Sequence, residues 1–142
     1  MKKKRVQIAA LPAAAAEQGV DPHYAGYFDC FNRGQYFEAH DILEELWLPA
    51  RRDADGDFYK GLIQIAGAFV HLQKNRLRPA DALFALADAN LARYPGAHLR
   101  FNVVGARRLI AQWRDWLADS SFAANPLGRV PAPRLHLLPG GR

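Results

Sequence analysis

Apolar residues recur three and four positions apart along most of the chain, a spacing that predicts helices rather than strands. Combined with capping signals, it places helices at about 22–32, 35–48, 57–75, 79–94 and 102–119. Asp21-Pro22 supplies a cap and a first-turn proline for the first helix, and Arg33-Gly34 stops it. The second ends before Pro49 on this reading, and the polar loop "PARRDADGD" leads to the third, the most apolar of the five. Pro79 opens the fourth and Pro95-Gly96 closes it; Val103, Ala106, Ile110, Trp113 and Leu117 form one stripe of the fifth. Only "RVPAPRLHLL" alternates with period two, and its prolines argue against a sheet strand. The expected fold is all-α. It is a compact bundle of about five helices over 21–119, between a basic, alanine-rich tail (1–20) and a Pro/Gly-rich extended tail (120–142).

One helix departs from the plain pattern. In "YFEAHDILEELW", Ala39, Ile42, Leu43 and Leu46 form an apolar stripe. Glu38, Asp41 and Glu45 fall on the other side and are expected to be exposed. His40 and Glu44 instead lie between Leu43 and Trp47 on one flank and Phe37 and Leu48 on the other, so they and Trp47 are expected to be mostly buried. A bare carboxylate there must be paired, coordinated or protonated. Two readings stay open: a His40–Glu44 hydrogen-bonded pair that fixes helix packing, or two ligands of a divalent metal ion of unspecified identity.

Folding helices two and three into an antiparallel hairpin about the middle of their loop sets Gly61 opposite Glu44 and Gln64 close to His40. His71 continues the Lys60–Gln64 stripe about two turns beyond the His40 level. Trp47, Gly61, Gln64 and His71 are therefore the candidate supporting residues. The zinc-protease helix needs two histidines around a glutamate, and "HDILE" has only one. A hydrolytic site would need a base such as Glu45 or His71, and the sequence assigns no catalytic residue.

The 142 residues, half of them hydrophobic, suit a single domain. The one cysteine, Cys30, lies among aromatics and reads as a buried, inert thiol, which suits a reduced, cytoplasmic compartment. The start mimics a secretory signal, but its apolar part is chiefly alanine and is broken by Gln7 and Pro12. No run approaches the ~20 apolar residues of a membrane span. The net charge of +5 comes from the tails, which hold seven cations and one carboxylate and leave the body at −1.

This distribution ranks nucleic-acid binding, through the tails and Arg100, Arg107 and Arg108, behind two other functions. The first is a metal-binding helical protein, hydrolase-like if a coordination position stays open. The alternative is a non-catalytic interaction module, in which His40, Glu44 and Gln64 form a structural network. Trp113, Trp116 and the aromatic first helix would then offer a surface to a partner or a second copy.

The runs "FNRGQYFEAHDILEELW" and "FYKGLIQIAGAFVHL" resemble a bacterial and archaeal family known as domain of unknown function 309. Its His-x-x-x-Glu-x-x-Trp/Tyr pattern is matched by His40, Glu44 and Trp47, and its Gly-Leu-Ile-Gln segment by Gly61 to Gln64. The resemblance covers roughly residues 24–94. It implies a small all-helical protein and a suggested metal at His40 and Glu44, with no established activity.

Overall fold

A computed structural model describes residues 19–140, and it is helical as the spacing predicts. Among the described residues there are five helices: α1 (Pro22–Asn32), α2 (Tyr36–Ala50), α3 (Gly56–Gln73), α4 (Leu77–Leu91) and α5 (Val103–Asp119). No strand runs through 58–72. The basic N-terminal segment, Gly19 and Val20 apart, lies outside the described residues. No described helix is long and apolar enough to cross a membrane.

Local chemistry sets the ends. The Asp21 carboxylate accepts from the His23 N–H at 2.8 Å, and Pro22 takes the first helical position. Asn102 caps α5 by accepting from the Gly105 N–H at 2.9 Å. The phenol of Tyr94 accepts the Phe58 N–H at the start of α3 and donates to the Ala54 carbonyl. Pro49 does not end α2, which runs on to Ala50. It sits one residue from the end, where its missing N–H forfeits only a single bond to the Glu45 carbonyl.

Each of α1 to α4 packs against its neighbours in sequence, and α5 rests on α4. Helix α3 lies in the middle, buried over most of its circumference, from Gly61 through Phe69. Phe69 joins the whole bundle. Its ring meets Phe31 of α1, Tyr36 of α2, Phe84 of α4 and Trp113 of α5, with centroids 4.9–5.5 Å apart. Trp113 and the aromatics of α1 are thus core, and Trp116 packs edge-on against Trp113. Trp116 itself stays half-buried.

A two-residue hairpin pairs β1 (Ala97–His98) with β2 (Phe101–Asn102), an element the helical spacing did not announce. Its turn residues Leu99 and Arg100 both lie in the left-handed region, with φ of 46° and 59°. The Tyr24 hydroxyl holds the turn by donating to the Leu99 carbonyl at 2.8 Å. The C-terminal tail is extended and clamped. Asn32 makes two 2.7 Å bonds to the Leu135 backbone, and the Leu138 N–H donates to the Arg100 carbonyl.

Removing the hub side chain leaves four helices facing a hole. Phe69→Ala is expected to cost about 3–5 kcal/mol in urea unfolding, whereas exposed Leu86→Ala should stay within ~0.5 kcal/mol.

Candidate metal centre

Helix α2 packs chiefly on α1 and α3 among the described elements. Its inner stripe, Tyr36, Ala39, Ile42 and Leu43, is buried, and Phe37 and Leu48 on the outer side are 45% and 46% exposed. Between these faces, His40, Asp41 and Glu44 bring one ligand atom each to within 4.8 Å of one another. Two ligands on one ion can be no farther apart than about 4.4 Å, twice a bond of ~2.2 Å, so a modest side-chain rotation would close the group.

The polar atoms explain why the group is unusual. His40 Nδ1 is shut off from solvent and has no hydrogen-bond partner; the nearest carboxylate oxygen, on Asp41, is 3.6 Å away. A buried imidazole nitrogen in that state forfeits on the order of 1–3 kcal/mol. Trp47 Nε1, one turn beyond Glu44, is likewise unpartnered, and Lys60 Nζ lies 5.7 Å from the Trp47 ring centroid.

Several expectations for this site need correction. His40, Glu44 and Trp47 are half-buried, not mostly buried, because they lie beside the half-exposed Phe37 and Leu48 and away from the inner stripe. Asp41 was expected among the exposed acids, yet its side chain is only 12% exposed against 31% for His40. Glu38 is half-buried, and Glu45 alone of the three acids is exposed. On a helical wheel Asp41 lies only about 60° from Glu44, which is the signal that could have found it.

The partner helix differs too. Gly61 does not face Glu44. A Cβ there would meet Leu91 Cγ at 3.0 Å and the Ala87 carbonyl at 3.4 Å, so this glycine lets α4 approach. Gly67 is the glycine beneath the site, with His40 Cδ2 3.8 Å and Leu83 Cδ1 3.0 Å from its would-be Cβ. The contacts of His40 with Gly67 and Trp47 with Lys60 shift the α2–α3 register by roughly two residues from the expected one.

Gln64 therefore turns to α4, where its Oε1 accepts from Asn90 Nδ2 at 2.8 Å. No hydrogen bond joins His40, Glu44 and Gln64 among the described residues, so the structural network of the alternative reading lacks its links. His71 lies outside the ligand group, one turn past Gly67. Burial, then Arg76 and Lys74 nearby, lowers its pKa and favours the neutral imidazole.

Residues 24–83 match the family model described as domain of unknown function, DUF309. The match bears out the resemblance, over a shorter stretch than the expected 24–94. The DUF309 stretch takes in α1 from Tyr24, all of α2 and α3 and the start of α4, and with them His40, Asp41, Glu44, Trp47 and Gly67. It excludes Asn90, α5 and the tail. No curated protein and no solved structure matches the chain.

The remaining reactive side chain is outside this chemistry. Burial, then the nearby charges of Asp29 and Glu38, push the Cys30 thiol up to about 11. At pH 7.5 only roughly one thiol in three thousand is then ionised. Alkylation of the native protein should be slow at this pH and become rapid on unfolding in guanidinium; fast native alkylation would contradict the burial.

Proposed function

We propose that this protein binds a divalent metal ion through His40, Asp41 and Glu44. The observation that carries the reading is the unpartnered His40 Nδ1, buried beside two carboxylates on the same helix. One imidazole and two carboxylates suit zinc, manganese or ferrous iron, and hard oxygen-only ions less well. The bare Gly67 opposite His40 leaves the imidazole room to turn toward an ion. Trp47 and Phe37 flank the group and would lower its exposure to water.

An ion held by three protein ligands keeps positions for water or substrate, and there it could polarise an oxygen or acidify a bound water. This makes a hydrolase-like role the finer form of the reading. Asp41 and Glu44 would hold the charge, His40 would set the geometry, and Glu45 is the nearest further carboxylate in sequence able to take a proton. His71, neutral and one turn away, is the other base within this part of the fold.

The test is thermal unfolding with chelator and with added zinc or manganese. At ~100 times its dissociation constant, an ion specific for the native state adds about 2.7 kcal/mol, a rise in Tm of roughly 5–10 °C. Wild type should show that rise. His40→Ala, Asp41→Asn and Glu44→Gln should each lose most of it while still unfolding cooperatively. An equal rise in all four proteins, or none in wild type, would refute the assignment.

A further inference from the structure

Two rungs of the same geometry tie α5 to α4. Arg107 Nε donates to Asp88 Oδ1 at 2.8 Å, and its Nη2 donates to Oδ2 at 3.4 Å. Arg114 holds Asp81 with the same pair of distances. On each helix the two partners are seven residues apart, so the rungs lie about 10.5 Å apart along the axis. Each aspartate takes two of the five N–H groups of its arginine and leaves three on the outer end of the fork. Those three have no protein acceptor among the described residues. Ion pairs this exposed add little stability, and the stripe of Val103, Ala106, Ile110, Trp113 and Leu117 already seats α5. What the rungs do supply is two guanidinium forks fixed in position.

The forks open on a groove of about 370 Å³ along α5, lined between the rungs by Ile110 and Ala111. Its charge is uneven. Arg107 and Arg108 bring two cations to one end, where Asp88 is the one lining carboxylate among the described residues. Arg108 makes no hydrogen bond or ion pair among those residues. At the other end, Asp81 and Asp115 both act on Arg114 and outweigh its charge. The positive excess is thus confined to about one helical turn, too short a track for a nucleic-acid backbone.

A ligand that fits is anionic at one end only. The phosphate of a monoester carries about two charges at neutral pH and three acceptor oxygens, which suit the fork ends of Arg107 and Arg108. Its body would pass over Ala111 and reach the Arg114 fork with an uncharged acceptor, a hydroxyl or a ring nitrogen. The volume of the groove suits a molecule of that size.

We propose that this groove binds a phosphate monoester of about nucleotide size, its phosphate on Arg107 and Arg108 and its uncharged body directed along Ala111 to Arg114. The lining residues, from Asp88 to Arg114, lie beyond the 24–83 stretch of the family match, and the assignment does not depend on the ion site.

Calorimetric titration at low salt, with chelator present and amide spectra recorded alongside, tests the site with AMP, glucose 6-phosphate, inorganic phosphate and adenosine. Wild type should bind at least one of the two monoesters, with amide shifts centred on residues 104–114. Inorganic phosphate and adenosine should bind roughly tenfold or more weakly. Binding of AMP alone assigns a nucleotide, binding of glucose 6-phosphate alone a sugar phosphate, and binding of both the shared phosphate end. Arg108→Gln, which breaks no contact of the fold, should weaken the bound monoester about tenfold or more. Arg52→Gln removes the same charge from an exposed arginine between α2 and α3 and should leave binding unchanged.

No binding of either monoester, or inorganic phosphate bound equally well, would overturn the proposal. So would shifts centred outside 104–114, or a loss that is equal in the two variants or absent from both.

Discussion

The packing of α3 is the constraint from which the rest follows. A helix buried on nearly all sides must meet neighbours in several directions at once, and Phe69 does so by touching a ring on each of the other four helices. Small residues make the crowding tolerable. Gly61 admits α4, and Gly67 sits where Leu83 of α4 and His40 of α2 converge. Aromatic pairs of this kind add ~0.5–1.5 kcal/mol each beyond the area they bury, so the hub both stabilises the bundle and fixes its register.

That arrangement decides what α2 can do. With α3 occupied on its far side by α4, α2 is held by its buried Tyr36–Ala39–Ile42–Leu43 stripe, while Phe37 and Leu48 on its other side stay nearly half exposed. His40 sits at the border between the two faces. It is close enough to α3 for Nδ1 to be shut off from water, and near enough to the edge to share space with Asp41 and Glu44. A fully buried pair of carboxylates would be prohibitively costly, whereas a half-buried one can await a cation. The core therefore supplies the rigidity, and the edge supplies the access.

Much of this was legible in the residues. The Asp21-Pro22 cap, the Gly34 stop and the apolar stripes located all five helices, because those signals are local. The pairing of His40 with Glu44 was visible too, since residues four apart on a helix must be neighbours. What was missed depends on how helices lie against each other. The α2–α3 register cannot be read from a loop midpoint when Pro49 fails to end its helix, and a slip of roughly two residues brings Gly67 rather than Gln64 beside His40. Asp41 was misplaced because neighbours in sequence point about 100° apart on a helix, and only the bend of its side chain brings it to His40. Exposure was misjudged for a related reason: an apolar arc was taken as covered, and Phe37 and Leu48 on its outer side stay nearly half exposed.

The central claim is that the bundle holds one specific cation site, at the border of α2 and α3. Residue-by-residue paramagnetic broadening by sub-stoichiometric manganese, read from backbone amide spectra, addresses it most directly. The account predicts broadening centred on residues 40–44, extending to Gly67 across the interface, and abolished by His40→Ala. Broadening centred instead on Asp53 and Asp55 before α3 and Asp57 in its first turn, or unchanged by that substitution, would contradict it.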